Sequence, residues 1–117
     1  MRTTADERVS LETKLTASDG AANDAFGYSV SASADGNTLL VGSFLDAYPA
    51  AGEGSAYLYK WDGSKWGETK IGAPDGTMSD RFGNSAAVSS DGTTMAVGAY
   101  YSEVGLIVEQ GAVYVFK

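Results

Sequence analysis

With neither Cys nor His among its 117 residues, this chain must draw any chemistry from carboxylates, hydroxyls, amines and aromatic rings. A thiolate nucleophile, a Cys-based zinc site, a disulfide and an imidazole base are all excluded. Three groups of residues are left to consider. Asp19, Asn23 and Asp24, with Asp75, Ser79 and Asp80, occupy matching loops and could hold a cation or a polar ligand. The same residue types also order loops by bonding nearby backbone N–H groups, which is the expected use here. Tyr57, Tyr59, Trp61 and Trp66 bracket Asp62-Gly63 and could stack on a sugar ring. A two-residue loop would set Tyr59 opposite Trp66, and a four-residue loop would set Trp61 there. Tyr114 and Phe116 recur at the places of Tyr57 and Tyr59, as packing against a neighbouring sheet requires. The loop from Leu45 to Glu53 (Asp46, Tyr48, Pro49) and its counterpart from Ser102 to Gln110 are the least alike parts, and variable loops on a repeated frame are where binding specificity resides. Leu106-Ile107-Val108 is an apolar patch within the second loop, suited to a contact or assembly surface. Ser and Asp are plentiful, yet no motif couples a nucleophile to a base, and a carboxylate pair facing across a channel leaves no sequence signature. The expectation is a chain that is not an enzyme, with no catalytic, cofactor-binding or metal-binding residue to assign.

The elements that position these groups follow from an internal repeat. Glu12-Thr13-Lys14-Leu15 returns as Glu68-Thr69-Lys70-Ile71, Asp19-Gly20 as Asp75-Gly76, and Asp24-Ala25-Phe26-Gly27 as Asp80-Arg81-Phe82-Gly83. Val41-Gly42-Ser43 matches Val97-Gly98-Ala99, and Gly54-Ser55-Ala56-Tyr57-Leu58-Tyr59-Lys60 matches Gly111-Ala112-Val113-Tyr114-Val115-Phe116-Lys117. The offset is 56 residues, rising to 57 in the last segment through one insertion in the second long loop. That period fits a four-stranded blade better than a helical solenoid unit. Within the unit, strands are predicted at Phe26 to Ser33 (Phe82 to Ser89), Thr38 to Phe44 (Thr94 to Tyr100), Ser55 to Trp61 (Ala112 to Lys117) and Lys65 to Ile71. Asp35-Gly36 and Asp91-Gly92 read as two-residue type I′ turns, because Asp-Gly accepts the positive φ angles of that geometry.

Abundant Gly (15) with scarce Pro (2) suits short strands and tight turns. Leu39-Leu40-Val41 and Met95-Ala96-Val97 leave no solvent face, as in a sheet stacked between two others. The first strand is rich in Gly, Ser and Ala, which suits a crowded place near a central axis, where a sandwich would show inside-outside alternation. The fold expected is all-β: a β-propeller fragment of two four-stranded antiparallel blades. It forms a single domain over residues 1–117, with an N-terminal outer strand at about 8–17, blade one at about 26–71 and blade two at about 82–117.

Phe26-Gly27 and Phe82-Gly83, followed by Val41-Gly42-Ser43 and Val97-Gly98-Ala99 and by the trailing Gly-x-x-Tyr-x-Tyr/Phe strand, resemble the FG-GAP repeat, the blade unit of integrin α-subunit head domains and of many surface proteins. The resemblance covers nearly everything from Leu11 onward. It implies a binding or adhesion module with an extracellular or cell-surface setting. Integrin-type repeats cage Ca²⁺ in a long Asp-rich turn between the first two strands. Here the turns are Ser33-Ala34-Asp35-Gly36-Asn37 and Ser89-Ser90-Asp91-Gly92-Thr93, each with one carboxylate where Ca²⁺ takes six to eight oxygens. The metal site therefore does not carry over.

The segment Val9 to Leu15 aligns with the fourth strand yet precedes the first repeat, while the second repeat has no fourth strand of its own. The N-terminal strand is therefore expected to complete blade two of another copy by strand pairing. Strands of about 17–20 Å at ~4.8 Å spacing give roughly 300–400 Å² per blade face, near the limit that soluble monomers leave bare. Head-to-tail contacts would close a ring of six blades as a trimer or eight as a tetramer. The net charge of −7 argues against nucleic acid as a partner. No apolar run reaches the ~18–20 residues of a membrane span, and the polar start, Met1 to Arg8, lacks an apolar leader, as in an unexported protein or a mature, excised or engineered segment. The function expected is a non-enzymatic self-assembling scaffold or interaction module, the alternative being a carbohydrate-binding or adhesion module.

Overall fold

The computed structural model describes residues 13–48, 52–76, 80–102, 104 and 110–117. Its regular elements are seven strands, β1 (Ser29–Ala32), β2 (Thr38–Ser43), β3 (Ser55–Trp61), β4 (Trp66–Ile71), β5 (Phe82–Val88), β6 (Met95–Ala99) and β7 (Ala112–Phe116). They form a four-stranded sheet in the order β1-β2-β3-β4 and a three-stranded sheet β5-β6-β7. All the strand pairings within the sheets are antiparallel.

Alternation along the strands sorts residues onto two faces. The register aligns Val30, Val41, Tyr57 and Lys70 in one row and Ala32, Leu39, Tyr59 and Glu68 in another, so these share one face of the first sheet. Rows Ser29-Gly42-Ala56-Ile71 and Ser31-Leu40-Leu58-Thr69 make up the other face. That second face packs on the second sheet: Leu40, Ala56, Ala73, Phe82, Val97 and Ala99 form one buried cluster, flanked by Leu58, Ile71, Ala86, Met95, Tyr114 and Phe116. On the opposite side, Val41, Tyr57 and Tyr59 are buried beneath Leu15, Ala17, Phe26, Leu39 and Trp66. Ile71 and Ala73 lie against the second sheet as Leu15 and Ala17, their repeat counterparts, lie against the first. The chain entering each sheet thus covers the same face of it.

Two local features differ from the sequence expectation. The Asp-Gly turns are not two-residue type I′ turns. Ala32 pairs with Leu39 and Ser33 N–H donates to Thr38 O at 2.9 Å, which leaves four residues in the loop. Gly36 has φ +74° while Asp35 is not left-handed. The physical reason is the Asp side chain. Asp35 Oδ1 accepts from Ser33 Oγ at 2.7 Å and from Asn37 N–H at 2.9 Å, and Asp91 repeats both bonds with Ser89 and Thr93. This carboxylate organises a longer turn than the backbone alone would make. The first strand of the first sheet begins at Ser29, not Phe26, although both corners make the same turn, Tyr28 N–H to Ala25 O and Asn84 N–H to Arg81 O. Its counterpart does begin at Phe82, which bridges to Gly54 of the first sheet.

Candidate functional site

Four of the aspartates and tyrosines singled out from sequence, Asp19, Asp46, Tyr48 and Tyr57, meet on the first sheet around a lysine. Lys70, on β4, lies in register with Tyr57 on β3. Its Nζ donates to Asp19 Oδ2 at 2.5 Å and to Asp46 Oδ2 at 2.8 Å, and lies 4.3 Å from the centre of the Tyr48 ring. Tyr57 OH donates to Asp19 Oδ1 at 2.7 Å, and Ser55 Oγ to Asp46 Oδ2 at 2.6 Å. Burial works against the Lys70 ammonium, but its bonds to Asp19, Asp46 and Tyr57 outweigh that and raise its pKa. Hydrogen bonds from Lys70 and Tyr57 lower that of Asp19. Burial, reinforced by the bond to Asp19, pushes the Tyr57 phenol up to about 12. One row along, Tyr59 OH donates to Glu68 Oε2 at 2.7 Å, and the same carboxylate receives Ser18 N–H and Oγ. Burial opposes the Glu68 charge; the Ser18 and Tyr59 bonds outweigh it and lower its pKa. Every one of these groups is consumed by a partner within the fold. The cluster joins the loop at Asp19, the loop at Asp46 and the edge strand into one rigid face.

The second sheet has a reduced version of this cluster. Tyr114 OH donates to Asp75 Oδ1 at 2.6 Å, as Tyr57 does to Asp19. Ser102 stands where Asp46 does, since Gly111 N–H donates to Ser102 O as Gly54 N–H does to Asp46 O, both at 2.9 Å. Ala112, Phe116 and Pro74 take the places of Ser55, Tyr59 and Ser18. Burial and the bond to Asp75 raise the Tyr114 phenol.

The other candidates have separate places. Asp24 Oδ2 accepts from Ala21 N–H at 2.8 Å, an ordering bond inside its loop, and Asn23 is left-handed at φ +67°. Asp80 is buried. Tyr57 and Tyr59 are buried and form no platform beside the turn. The loop has four residues, so Trp61 faces Trp66 with ring centres 5.4 Å apart, and Trp61 is 39% exposed. Pro49, Ser79 and Leu106-Ile107-Val108 lie outside the described residues.

Sequence reasoning assigned no role to Lys70, Glu68, Ser55 or Ser18. The signal available for the first two was the recurrence of Glu-Thr-Lys beside a strand whose alternate residues are tyrosines. It also missed how the two sheets join. The Phe82-Gly83 corner enters a socket in the first sheet floored by Gly42 and Gly54. A Cβ on Gly42 would lie 1.9 Å from Gly83 O, and one on Gly54 2.0 Å from Phe82 O. Phe82 N–H donates to Glu53 O at 2.8 Å, Arg81 N–H to Gly52 O at 3.1 Å, and Ser29 Oγ to Gly83 O at 2.9 Å. Val88 N–H to Ser31 Oγ (3.0 Å) and Ala34 N–H to Ser90 O (2.9 Å) continue the seam. Main-chain contact this close is possible only where the socket has no side chains.

Both halves of this joint recur at the outer ends of the molecule. Gly98 and Gly111, the counterparts of Gly42 and Gly54, line an open cavity of about 400 Å³ with Asn84, Ser85, Tyr100 and Val113. At the opposite end, a Cβ on Gly27 would meet nothing within 4 Å. Around these positions Val113 (68%), Val115 (59%), Tyr28 (65%) and Val30 (63%) are exposed, whereas Ala56 and Ala86, the counterparts of Val113 and Val30, belong to the packed seam.

A search of curated proteins and of solved structures finds no match to this chain. The FG-GAP repeat profile, however, matches residues 9–59 and again 66–116. The two matched spans take in both sheets and both Phe-Gly corners, and the chain belongs to the FG-GAP repeat family.

Proposed function

We propose that the chain is a non-enzymatic interaction module whose blades stack head to tail, the Phe26-Gly27 corner of one copy seating in the Gly98-Gly111 socket of the next. The observation that carries this reading is the pairing of an open socket and an open corner with a filled example of the same joint between them. Exposed Tyr28 and Val30 would meet exposed Val113 and Val115 across the new seam, removing apolar surface from water at both ends. The contact is heterologous, so it closes a ring when the rotation permits; a trimer makes six blades and a tetramer eight. The N-terminal strand would add to the edge of β7, completing a fourth strand for the second blade. The clustered Asp, Tyr and Lys groups around Lys70 bond one another, which supports a structural use of that cluster over a catalytic one.

Sedimentation of the 117-residue chain across micromolar concentrations tests the reading. A single trimeric or tetrameric species is expected, and a monodisperse monomer overturns it. Carbohydrate binding is a second reading, favoured by the half-exposed Trp61 against Trp66. A glycan array on which Trp61→Ala abolishes a wild-type signal would support it, and no signal from the wild type would remove it.

A further inference from the structure

We infer that Lys14 of one copy is a charged pin that completes the Asp75–Tyr114 pair on the second blade of the next copy. This inference rests on the head-to-tail reading and adds to it a defined register and a defined ion pair.

The template is blade one, where Lys70 occupies a nearly buried slot between Asp19, Asp46 and the Tyr57 phenol. Blade two has the corresponding phenol and carboxylate, Tyr114 and Asp75, already bonded to one another at 2.6 Å. Among the described residues, no strand pairs with the far edge of β7, so the place that β4 fills in blade one is open. The sequence that matches β4 is Glu12-Thr13-Lys14-Leu15, and Lys14 is exposed on its own chain. Transferring the β3–β4 register, in which Ala56 faces Ile71, Tyr57 faces Lys70 and Leu58 faces Thr69, sets Val113 opposite Leu15, Tyr114 opposite Lys14 and Val115 opposite Thr13. A one-residue slip would turn Lys14 to the other face and lose the pair. The pin therefore selects one register.

The cradle is asymmetric, and that sharpens the inference. Glu68 in blade one receives Ser18 and Tyr59. In blade two those positions are Pro74 and Phe116, which offer neither an N–H nor a hydroxyl. Glu12 would therefore find no such donor while Lys14 finds an anion and a phenol. Ser102 replaces Asp46, one of the two carboxylates that bond Lys70, so this pin is expected to be weaker than the internal one and more sensitive to salt.

The test measures self-association of the full chain by sedimentation equilibrium over a salt series. Lys14→Met is expected to weaken association about five- to tenfold and to flatten its salt dependence, while Glu12→Gln leaves both unchanged. Lys14→Glu and Asp75→Lys each place like charges together and should weaken association by about a hundredfold. The double variant restores it, since the two charges have then only exchanged places across the joint. An equimolar mixture of the two single variants satisfies every joint only in rings with an even number of copies. Circular dichroism of each variant checks that the two sheets are retained. If Lys14→Met associates like the wild type, or the double variant fails to recover, the pin is wrong although the ring stands. A wild type that stays monomeric overturns the ring and the pin together.

Discussion

The two blades share one plan, yet the second has lost most of the polar groups that lock the first. In blade one, Lys70 ties two loops to the edge strand, and Glu68 ties a third segment to Tyr59. In blade two, Ser102, Ala112, Phe116 and Pro74 take the places of Asp46, Ser55, Tyr59 and Ser18, while Tyr114 keeps bonds to Asp75 and Ser102. The aromatic packing survives the change. Phe26 meets Tyr57 and Tyr59 edge-on at 5.3 and 6.4 Å, and Phe82 meets Tyr114 and Phe116 at 5.4 and 6.2 Å. Packing is thus what the repeat preserves, because a fold of stacked sheets needs it at every interface. The hydrogen bonds to an edge strand are found in the sheet that has a fourth strand, β4.

The largest expected break in this comparison lies at the sockets. Gly42→Ala drives a Cβ into Gly83 O, a main-chain atom that cannot yield without parting the sheets, and should cost about 3 kcal/mol in urea unfolding. Gly98→Ala meets only Ser85 Oγ and Asn84 Oδ1 closely, and Ser85 can rotate away; its cost in the monomer should stay within about 1 kcal/mol. Equal costs would mean the two sockets are not distinguished by occupancy.

Next comes the lysine pair. Lys70→Met strands the buried Asp46 carboxylate and should cost about 2–3 kcal/mol, while Lys14→Met changes monomer stability by less than about 0.5 kcal/mol. The same cluster sets an alkaline limit. Tyr57 titrates near 12 in the folded chain against an ordinary value of 10, so its contribution is complete below pH 10 and is lost as pH rises through 12. A pH series of melting temperatures should show that decline, and Tyr57→Phe should flatten it more than Tyr114→Phe. In acid the direction reverses: Asp19 and Glu68 have lowered values, so their contribution is present above the ordinary carboxylate range and fades as pH falls below it.

A smaller contrast comes from the phenols. Tyr59→Phe removes a donor to Glu68 and should cost about 1 kcal/mol, whereas Phe116→Tyr should bring no gain in the monomer, where no described strand pairs with the far edge of β7 to bring it a carboxylate. Smallest of all are the turns, where the blades agree. Asp35→Ala and Asp91→Ala should each cost about 0.5–1 kcal/mol, and a clear difference between them would show that neighbours outside the turn contribute.

The strands of the two sheets, their order and the correspondence of Tyr57 with Tyr114 were legible in the sequence because they are local or repeated; the N-terminal strand expected at about 8–17 is not among them, its described part, 13–17, carrying no regular element. The position of the four-residue Trp61–Trp66 hairpin was one of two stated options. The Lys70 cluster was not legible, since it brings together residues 19, 46, 57 and 70 from separate loops and strands, and no spacing rule connects them. The sockets were visible only as small residues. A glycine says that something approaches closely, but the approaching group, the Phe82-Gly83 corner, lies about 30–40 residues away along the chain and carries no complementary charge or shape in its side chains. The turn type was misread because Asp was credited with its backbone tolerance and not with the bonds its carboxylate makes.

The corner contacts of the joint between the sheets are made largely by peptide groups, with the Ser29 and Ser31 hydroxyls beside them, and this has a consequence for how such proteins diversify. Carbonyl and amide atoms are common to all residues, so the pitch from one blade to its neighbour does not depend on which side chains occupy the outer loops. Those loops can change composition freely while the angular step stays fixed, provided that the socket glycines and the corner phenylalanines are kept.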